Sequence, residues 1–242
     1  FESSTATQAF LGSRTNYHLI DGKVNLYKCF IPLAWKLHSY KGLSGYLHPD
    51  TIYDDPNGGK FRSKIYEKLV YHFKFQNVMM LFEIGHKEKY SINIYQNNKE
   101  KYKFKTISNI FLPKTIDSSF EDTGLKKVQG FKDENNNWAI EGHKNRIIDV
   151  TKEELKLFAI LFDGNDLDFT HAKLPAIHTE ELINVLQKLS DYHTKIKSIT
   201  QEYYSTQLWN EVNAQNDGTI IRNTKFPENS IELVIQGPHF FV

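Results

Sequence analysis

Lysines interleaved with aromatic residues are the most suggestive chemistry in this chain. Lys99, Lys101, Lys103 and Lys105 alternate around Tyr102 and Phe104. In a strand this spacing puts the four ammonium groups on one face, because successive side chains point to opposite sides. Such a strip suits nucleic acid, with cations on phosphates and rings against bases. It suits an exposed edge strand equally well, since edges carry lysine to discourage pairing with other chains. Lys87 and Lys89 form a shorter group that could hold phosphates or simply keep a loop solvated.

Other groupings point to less. Glu153 and Glu154 stand near Lys156, and Glu121 and Asp122 near Lys126. A nuclease centre would set such groups on adjoining strands, whereas these fall in a helix and a loop. His171 and His178 flank Pro175 at a spacing that is not the four-residue step of a helical zinc pair. Cys29 is the only cysteine, which excludes an internal disulfide and disfavours a structural zinc site. It sits in the apolar run Leu26 to Leu37, the setting of an inert buried thiol. Glu211, Asn213 and Asp217 read as a polar turn rather than a metal site. No metal is expected.

The elements that must position these residues follow from periodicity. Ser3 to Ser13 reads as a short helix. Asn25 is a plausible N-cap for a helix in which Leu26, Phe30, Leu33 and Leu37 recur at spacings of three and four. Ile31 and Ala34 widen that stripe, so the helix is expected to be well buried, with Pro32 bending it. Leu43 to Leu47 reads as a strand and Phe61 to Tyr71 as a helix. Val78 to Ile84 is nearly continuous apolar sequence, the pattern of a central strand covered on both faces. Tyr90 to Tyr95 and Tyr102 to Ile107 alternate as further strands. The order helix, strand, helix, then three strands predicts half of a doubly wound α/β sheet that ends in an antiparallel hairpin.

Lys114 to Asn137 is polar and reads as an exposed connection. Thr151 followed by Glu154 is a capping-box pattern ahead of a helix through Phe162. Thr179 is expected to cap a second helix that buries Leu182, Val185, Leu186 and Leu189. Gln201 to Glu211 is a third helical stretch, and Ile231, Leu233 and Ile235 a last strand. The expected organisation is an α/β part over residues 1–112, a polar connection over 113–150, and a mainly helical α+β part over 151–242.

Lys and Arg number 30 against 29 Asp and Glu, a net charge of +1, so nucleic-acid binding would rest on a local patch. No apolar run approaches the ~20 residues of a membrane span. Phe1 to Gln8 lack the basic start and apolar segment of a signal peptide. With cysteine so scarce, a reducing, cytoplasmic compartment is expected. Phe1 at the start and Phe240, Phe241 and Val242 at the end both read as interior sequence, as in a piece of a longer protein.

Several segments, taken in order, resemble the second half of a known catalytic domain. They are Asn25 to Ile31, Gly42 to Pro49, Gly58-Gly59-Lys60-Phe61-Arg62, Leu81-Phe82-Glu83-Ile84, and His86 to Tyr95. Their order and spacing over residues 25–96 are similar to those of the amino-adenine DNA methyltransferases found in fused restriction-modification and phage-defence enzymes. Trp209 to Ile220 adds a further likeness downstream. The resemblance implies a partial Rossmann-like methyltransferase sheet, S-adenosylmethionine as methyl donor in the intact enzyme, and double-stranded DNA as partner. It implies that an everted adenine stacks on Tyr90, because a flipped base must replace lost stacking. Lys87 and Lys89, with Lys101, Lys103 and Lys105, are the candidate DNA contacts.

The family's glycine-rich cofactor loop has no counterpart here. Its catalytic tetrapeptide, Asn or Asp, two prolines and an aromatic, is also absent. Asp54-Asp55-Pro56-Asn57 comes nearest but lacks the second proline and the aromatic, and falls after the wrong strand. No catalytic residue is therefore assigned. The chain is expected to need the missing N-terminal half of the methylase and to be inactive alone. The alternative is a non-catalytic DNA-binding or specificity module.

Overall fold

A computed structural model describes residues 2–13, 17, 19–20, 24–164, 167–192, 210–221, 228–229 and 231. The described elements are α1 (Glu2–Gly12), α2 (Leu26–Leu37), β1 (Leu43–Pro49), α3 (Gly59–Tyr66), β2 (Leu69–Gln76), β3 (Lys89–Gln96), β4 (Phe104–Ile110), α4 (Lys114–Glu121), β5 (Ile148–Val150), α5 (Lys152–Phe158), α6 (Glu180–Ser190) and α7 (Glu211–Asn216). The strands form one mixed sheet in the order β1-β3-β2-β4-β5. β3 returns antiparallel between β1 and β2, β4 lies parallel to β2, and β5 is antiparallel to β4. β1, β2 and β4 thus share one direction, and the fold is α/β.

Alternation along the strands separates two cores. Tyr95, Leu69 and Phe104 join Ile31, Trp35, Tyr53, Ile65 and Tyr66 on one face, roofed by α2, α3 and α5. On the other face Phe73, Phe75, Tyr90, Ile107 and Ile110 form a smaller cluster with Ile116 of α4. Phe120 of α4 meets Tyr71 and Phe73 edge-on, at 6.0 and 6.4 Å between ring centres.

Several expectations are corrected. The apolar run Val78 to Ile84 is not a central strand. The helix of the preceding segment stops at Tyr66, and the strand is Leu69–Gln76, where Tyr71, Phe73 and Phe75 alternate with His72 and Lys74. Residues 77–79 form a single 3₁₀ turn, and Leu81, Phe82 and Ile84 are exposed. A short apolar run has no period of its own, so it fits a buried strand and an exposed loop alike.

The stripe on α2 faces the wrong way for the expected burial. Leu26, Phe30, Leu33 and Leu37 are 55, 57, 46 and 79% exposed, while Lys28, Cys29, Ile31 and Trp35 are buried. The expected connection at 114–137 begins with α4, and the expected buried side of α6 leaves Leu182, Val185 and Leu189 exposed. Of the expected four only Leu186 packs on the core, joined by Ile183. The capping box at Thr151 is present. Its hydroxyl accepts from Glu153 N at 3.2 Å, while Thr151 N donates to Glu154 Oε2 at 2.8 Å. A π-helical turn, Ala159–Asp163, extends that helix one residue beyond the expected Phe162.

The chain divides into two compact units that cut across the expected domains. One comprises residues 1–128 and 140–191, so β5, α5 and α6 belong with the α/β part. The other comprises residues 129–139 and 192–242. In it, Asp133 accepts from the backbone N–H groups of Asn135 and Asn137, and Asn210 caps α7 by accepting from Asn213 N. Asp217 accepts from Thr219 N, which makes the acidic group there a turn. The stretch 201–209 and a strand at Leu233 and Ile235 lie outside the described residues.

Candidate functional site at the carboxyl edge of the sheet

Ligands of open α/β sheets bind beyond the carboxyl ends of the parallel strands, where loops are free to vary. Pairing register places that edge here. Pro49 of β1 lies opposite Tyr90, Tyr90 opposite Phe75 of β2, and Phe75 opposite Ile110 of β4. Tyr90 therefore sits in the middle of the sheet's last row. Lys87 and Lys89 stand at the same edge, both exposed, and among the described residues neither has an acidic partner.

Tyr90 itself is 6% exposed. Its ring lies parallel to Phe75 at 5.3 Å, and Phe82 meets it edge-on at 5.0 Å. Burial raises its hydroxyl pKa. One face thus lies on Phe75, and little of the ring is open to solvent.

The segment carrying Phe82, the β2–β3 connection, is built around Asn77. The side chain is fully buried, and its Nδ2 donates to the carbonyls of Phe82 (3.0 Å) and Ile84 (2.9 Å). Its Oδ1 accepts from Phe82 N at 3.2 Å. Main-chain bonds Met80 N to Asn77 O, Glu88 N to Gly85 O and Asn77 N to Glu88 O close the loop. Met80 sits at φ 50, a left-handed conformation uncommon outside glycine and asparagine. One amide thus replaces the strand pairing the backbone would otherwise need.

On the opposite face of the sheet, polar residues form a closed network. His72 is bonded through Nε2 to Asp50 Oδ1 (2.9 Å) and through Nδ1 to Thr106 Oγ1 (2.8 Å). The Lys74 ammonium pairs with the other Asp50 oxygen. Burial pushes the Asp50 carboxyl up, but the His72 bond and charge together with Lys74 outweigh it and hold it at about 2. Next to it His48 is held at about 4 by burial. Its Nδ1 lies 2.9 Å from Pro49 O, and its ring stacks on Tyr27 at 5.3 Å. Tyr53 Oη donates to Asn93 Oδ1 in the same layer. Asp50, His72, Lys74 and Asn93 are all buried, so the network ties the turn after β1 to β2 and β3 and does not meet solvent.

The other lysines are elsewhere. Lys105 alone lies on a strand. Its ammonium reaches both Asp149 oxygens, at 2.6 and 2.8 Å. Lys103 pairs with Glu100 at 3.1 Å and Lys101 with Glu67 at 3.6 Å. Tyr102, at φ 57, breaks the alternation that would have aligned them. They cluster at the amino edge, where Lys105 is level with Ile94 of β3, five residues and roughly 17 Å from Lys89 at ~3.3 Å per residue. The structure does not bring the two lysine groups together.

The implied cofactor needs a strand, a glycine loop and a helix N-terminus open to the ligand. Gly58 and Gly59 open α3 after β1, but their space is taken by the chain itself. A Cβ on Gly58 would come 2.8 Å from Arg62 Nη1, and one on Gly59 3.1 Å from His171 Cβ. Buried Arg62 donates to the carbonyls of Asp55 (2.6 Å) and His171 (2.9 Å), sealing the turn. The Gly58–Gly59 turn therefore does not fit S-adenosylmethionine. Asp55 is likewise engaged. Its carboxylate accepts from Lys28 Nζ (2.9 Å) and Asn57 N (3.0 Å), a structural use. Glu154 is spent on the α5 cap, and Asp122 accepts from Gly124 N and Lys144 N. Cys29 is buried, and burial raises its thiol pKa. Among the described residues no three His, Cys, Asp or Glu side chains come together as metal ligands, and no helix is long and apolar enough to cross a membrane.

Sequence reasoning missed Asp50, His72, Lys74, Asn77 and Phe82. The signal for two of them was present, since His72 and Lys74 alternate with Tyr71, Phe73 and Phe75. Asp50 and Asn77 gain their roles only through partners brought close by the sheet. No protein-family model matches the chain, and no curated protein matches it.

Proposed function

We propose that this chain is the later half of an adenine-specific DNA methyltransferase domain, with the donor-binding half supplied by another stretch of polypeptide. S-adenosylmethionine is then the methyl donor and an everted adenine in double-stranded DNA the acceptor. The chain's own part is to wall the base pocket at the carboxyl edge of the sheet.

One observation carries this reading. Among the described residues β1 is an edge strand with no Asp, Glu, Lys or Arg, its one proline, Pro49, stands at its last position, and the exposed apolar stripe of α2 lies beside it. Edge strands are ordinarily blunted by charge, proline within the strand, or a covering element. Leu43 and Leu47 are instead exposed, and α2 and β1 border an apolar groove of about 400 Å³ lined by Tyr27, Phe30, Leu33, Tyr46 and His48. A doubly wound sheet continued past β1 would pair the open edge and cover the stripe. The element order over residues 26–96, with β3 returning between β1 and β2, also agrees with a doubly wound sheet ending in an antiparallel hairpin. The rival reading, a DNA-binding module built on the lysine–aromatic strip, is disfavoured by the acids beside Lys101, Lys103 and Lys105.

The test is transfer of a labelled methyl group from S-adenosylmethionine to duplex DNA. This chain alone should transfer none. The polypeptide read through the coding sequence preceding Phe1 should yield N6-methyladenine. Binding without transfer by that longer polypeptide would sink the proposal and favour the module.

A further inference from the structure

Helix α6 turns one apolar side inward and another outward. Ile183 and Leu186 pack on the core, while Leu182, Val185 and Leu189 are 39, 50 and 55% exposed. The turn that α6 packs against, Ala159–Asp163, also exposes Ile160 and Phe162. Exposed apolar side chains concentrated in this way mark a contact surface. The outer three residues of α6 recur at steps of three and four, the spacing by which one helix seats against another.

The charges beside this seam say what covers it. Glu181 and Lys188 stand one heptad apart, so they share one flank of the helix, the acid in its first turn and the base in its last. Both are exposed. Glu181 Oε1 accepts from Asn145 Nδ2 at 2.7 Å, which holds the carboxylate in place. Lys188 is in no ion pair among the described residues. Such a flank complements itself. When two copies of α6 lie antiparallel about a twofold axis at Val185, Leu182 of each runs beside Leu189 of the other. Glu181 of each then comes level with Lys188 of the other, and both flanks close on opposite charges. A parallel pair would set each residue level with its own copy and leave the flanks without partners.

We propose that α6 is the contact between two copies of this chain, paired antiparallel about a twofold axis at Val185. Both copies then use the same patch, as twofold dimers do. The seam is roughly 16 Å long at ~1.5 Å per residue. That is small for a protein interface, so the pairing is weak and depends on concentration. This contact uses neither α2 nor β1 and does not rest on the methyltransferase reading.

Sedimentation velocity on the 242-residue chain across the micromolar range tests it. The chain should pass from monomer to dimer. Val185→Glu should weaken the dimer by about 10-fold or more, because the axis brings two like charges into contact. Glu181→Lys and Lys188→Glu should each weaken it about 3- to 10-fold. An equal mixture of those two variants should associate as the natural chain does, since each supplies the charge the other lacks. Under oxidation Val185→Cys should form a disulfide with its own copy. Leu189→Cys should not, because eight residues along the pair, about 12 Å, separate it from its copy.

A chain that stays monomeric, or association untouched by Val185→Glu, overturns the proposal. So does a mixture of the charge variants no better associated than either alone. Equal crosslinking of Leu189→Cys and Val185→Cys overturns the antiparallel arrangement. Association lost with Leu37→Glu but kept by Val185→Glu belongs to α2, and the assignment to α6 fails. Should a charge variant not fold by circular dichroism, Val185→Cys carries the test, and absence of its disulfide then overturns the contact.

Discussion

His48 shows how much a single buried side chain can set. Its Nδ1 lies against the Pro49 carbonyl and its ring against Tyr27, so burial favours the neutral form and holds the pKa at about 4. An unfolded histidine titrates near 6.5. As pH falls from ~6.5 towards 4, the unfolded chain takes up a proton that the folded chain refuses. The stability tied to His48 is therefore complete above pH ~6.5 and is lost on acidification, by about 3 kcal/mol in all. Asp50 acts in the same sense at lower pH, since its carboxyl is held at about 2 and its contribution is lost below the unfolded value near 4. Urea unfolding between pH 7 and 4.5 should show a steep loss for the natural chain and a shallower one for His48→Gln. Parallel curves would mean that His48 takes up its proton as readily folded as unfolded.

Helix α2 and the β2–β3 connection make the same point about elements. In both, the residue pattern was legible and its direction was not. The spacing of Leu26, Phe30, Leu33 and Leu37 correctly puts them on one side of a helix, but a second stripe through Lys28, Ile31 and Trp35 is the buried one. Periodicity says which side chains share a face, and only the neighbours decide which face is covered. Substitution should separate the two. Leu37→Glu should leave the stability of this chain within about 0.5 kcal/mol, whereas Ile31→Ala should cost about 2–5 kcal/mol. Chemical denaturation checks both. A large loss from Leu37→Glu would show that the outer stripe is packed within the chain. In the proposed longer polypeptide the same Leu37→Glu change should impair assembly and methyl transfer, because the stripe is then covered.

Across the whole molecule, the sheet sorts lysines that look alike in sequence. Lys87 and Lys89 lie at the carboxyl edge without acidic partners among the described residues, while Lys101, Lys103 and Lys105 lie at the amino edge beside Glu67, Glu100 and Asp149. Exposed ion pairs are weak in energy, but the neighbouring acids cancel the local field that would attract a phosphate. DNA binding measured against salt should follow this sorting. Replacing Lys87 and Lys89 with alanine should reduce the slope of log K against log salt by about 1.8, near 0.9 for each phosphate no longer neutralised. Replacing Lys101, Lys103 and Lys105 should leave it unchanged. A slope that responds to the second set would move the binding face to the amino edge.

The amino-acid sequence by itself determined what depends on neighbours a few residues away. The Thr151–Glu154 box, the alternation of β3, the short strand β1 and the inert Cys29 all follow from local spacing and side-chain chemistry. Tertiary structure decided what depends on distant partners. It placed β4 parallel to β2, drew β5 and α5 into the α/β unit, packed Tyr90 against Phe75 and Phe82, and turned the run after Asn77 into an exposed loop. The reason is that burial and pairing are properties of two surfaces, and a linear pattern describes only one of them.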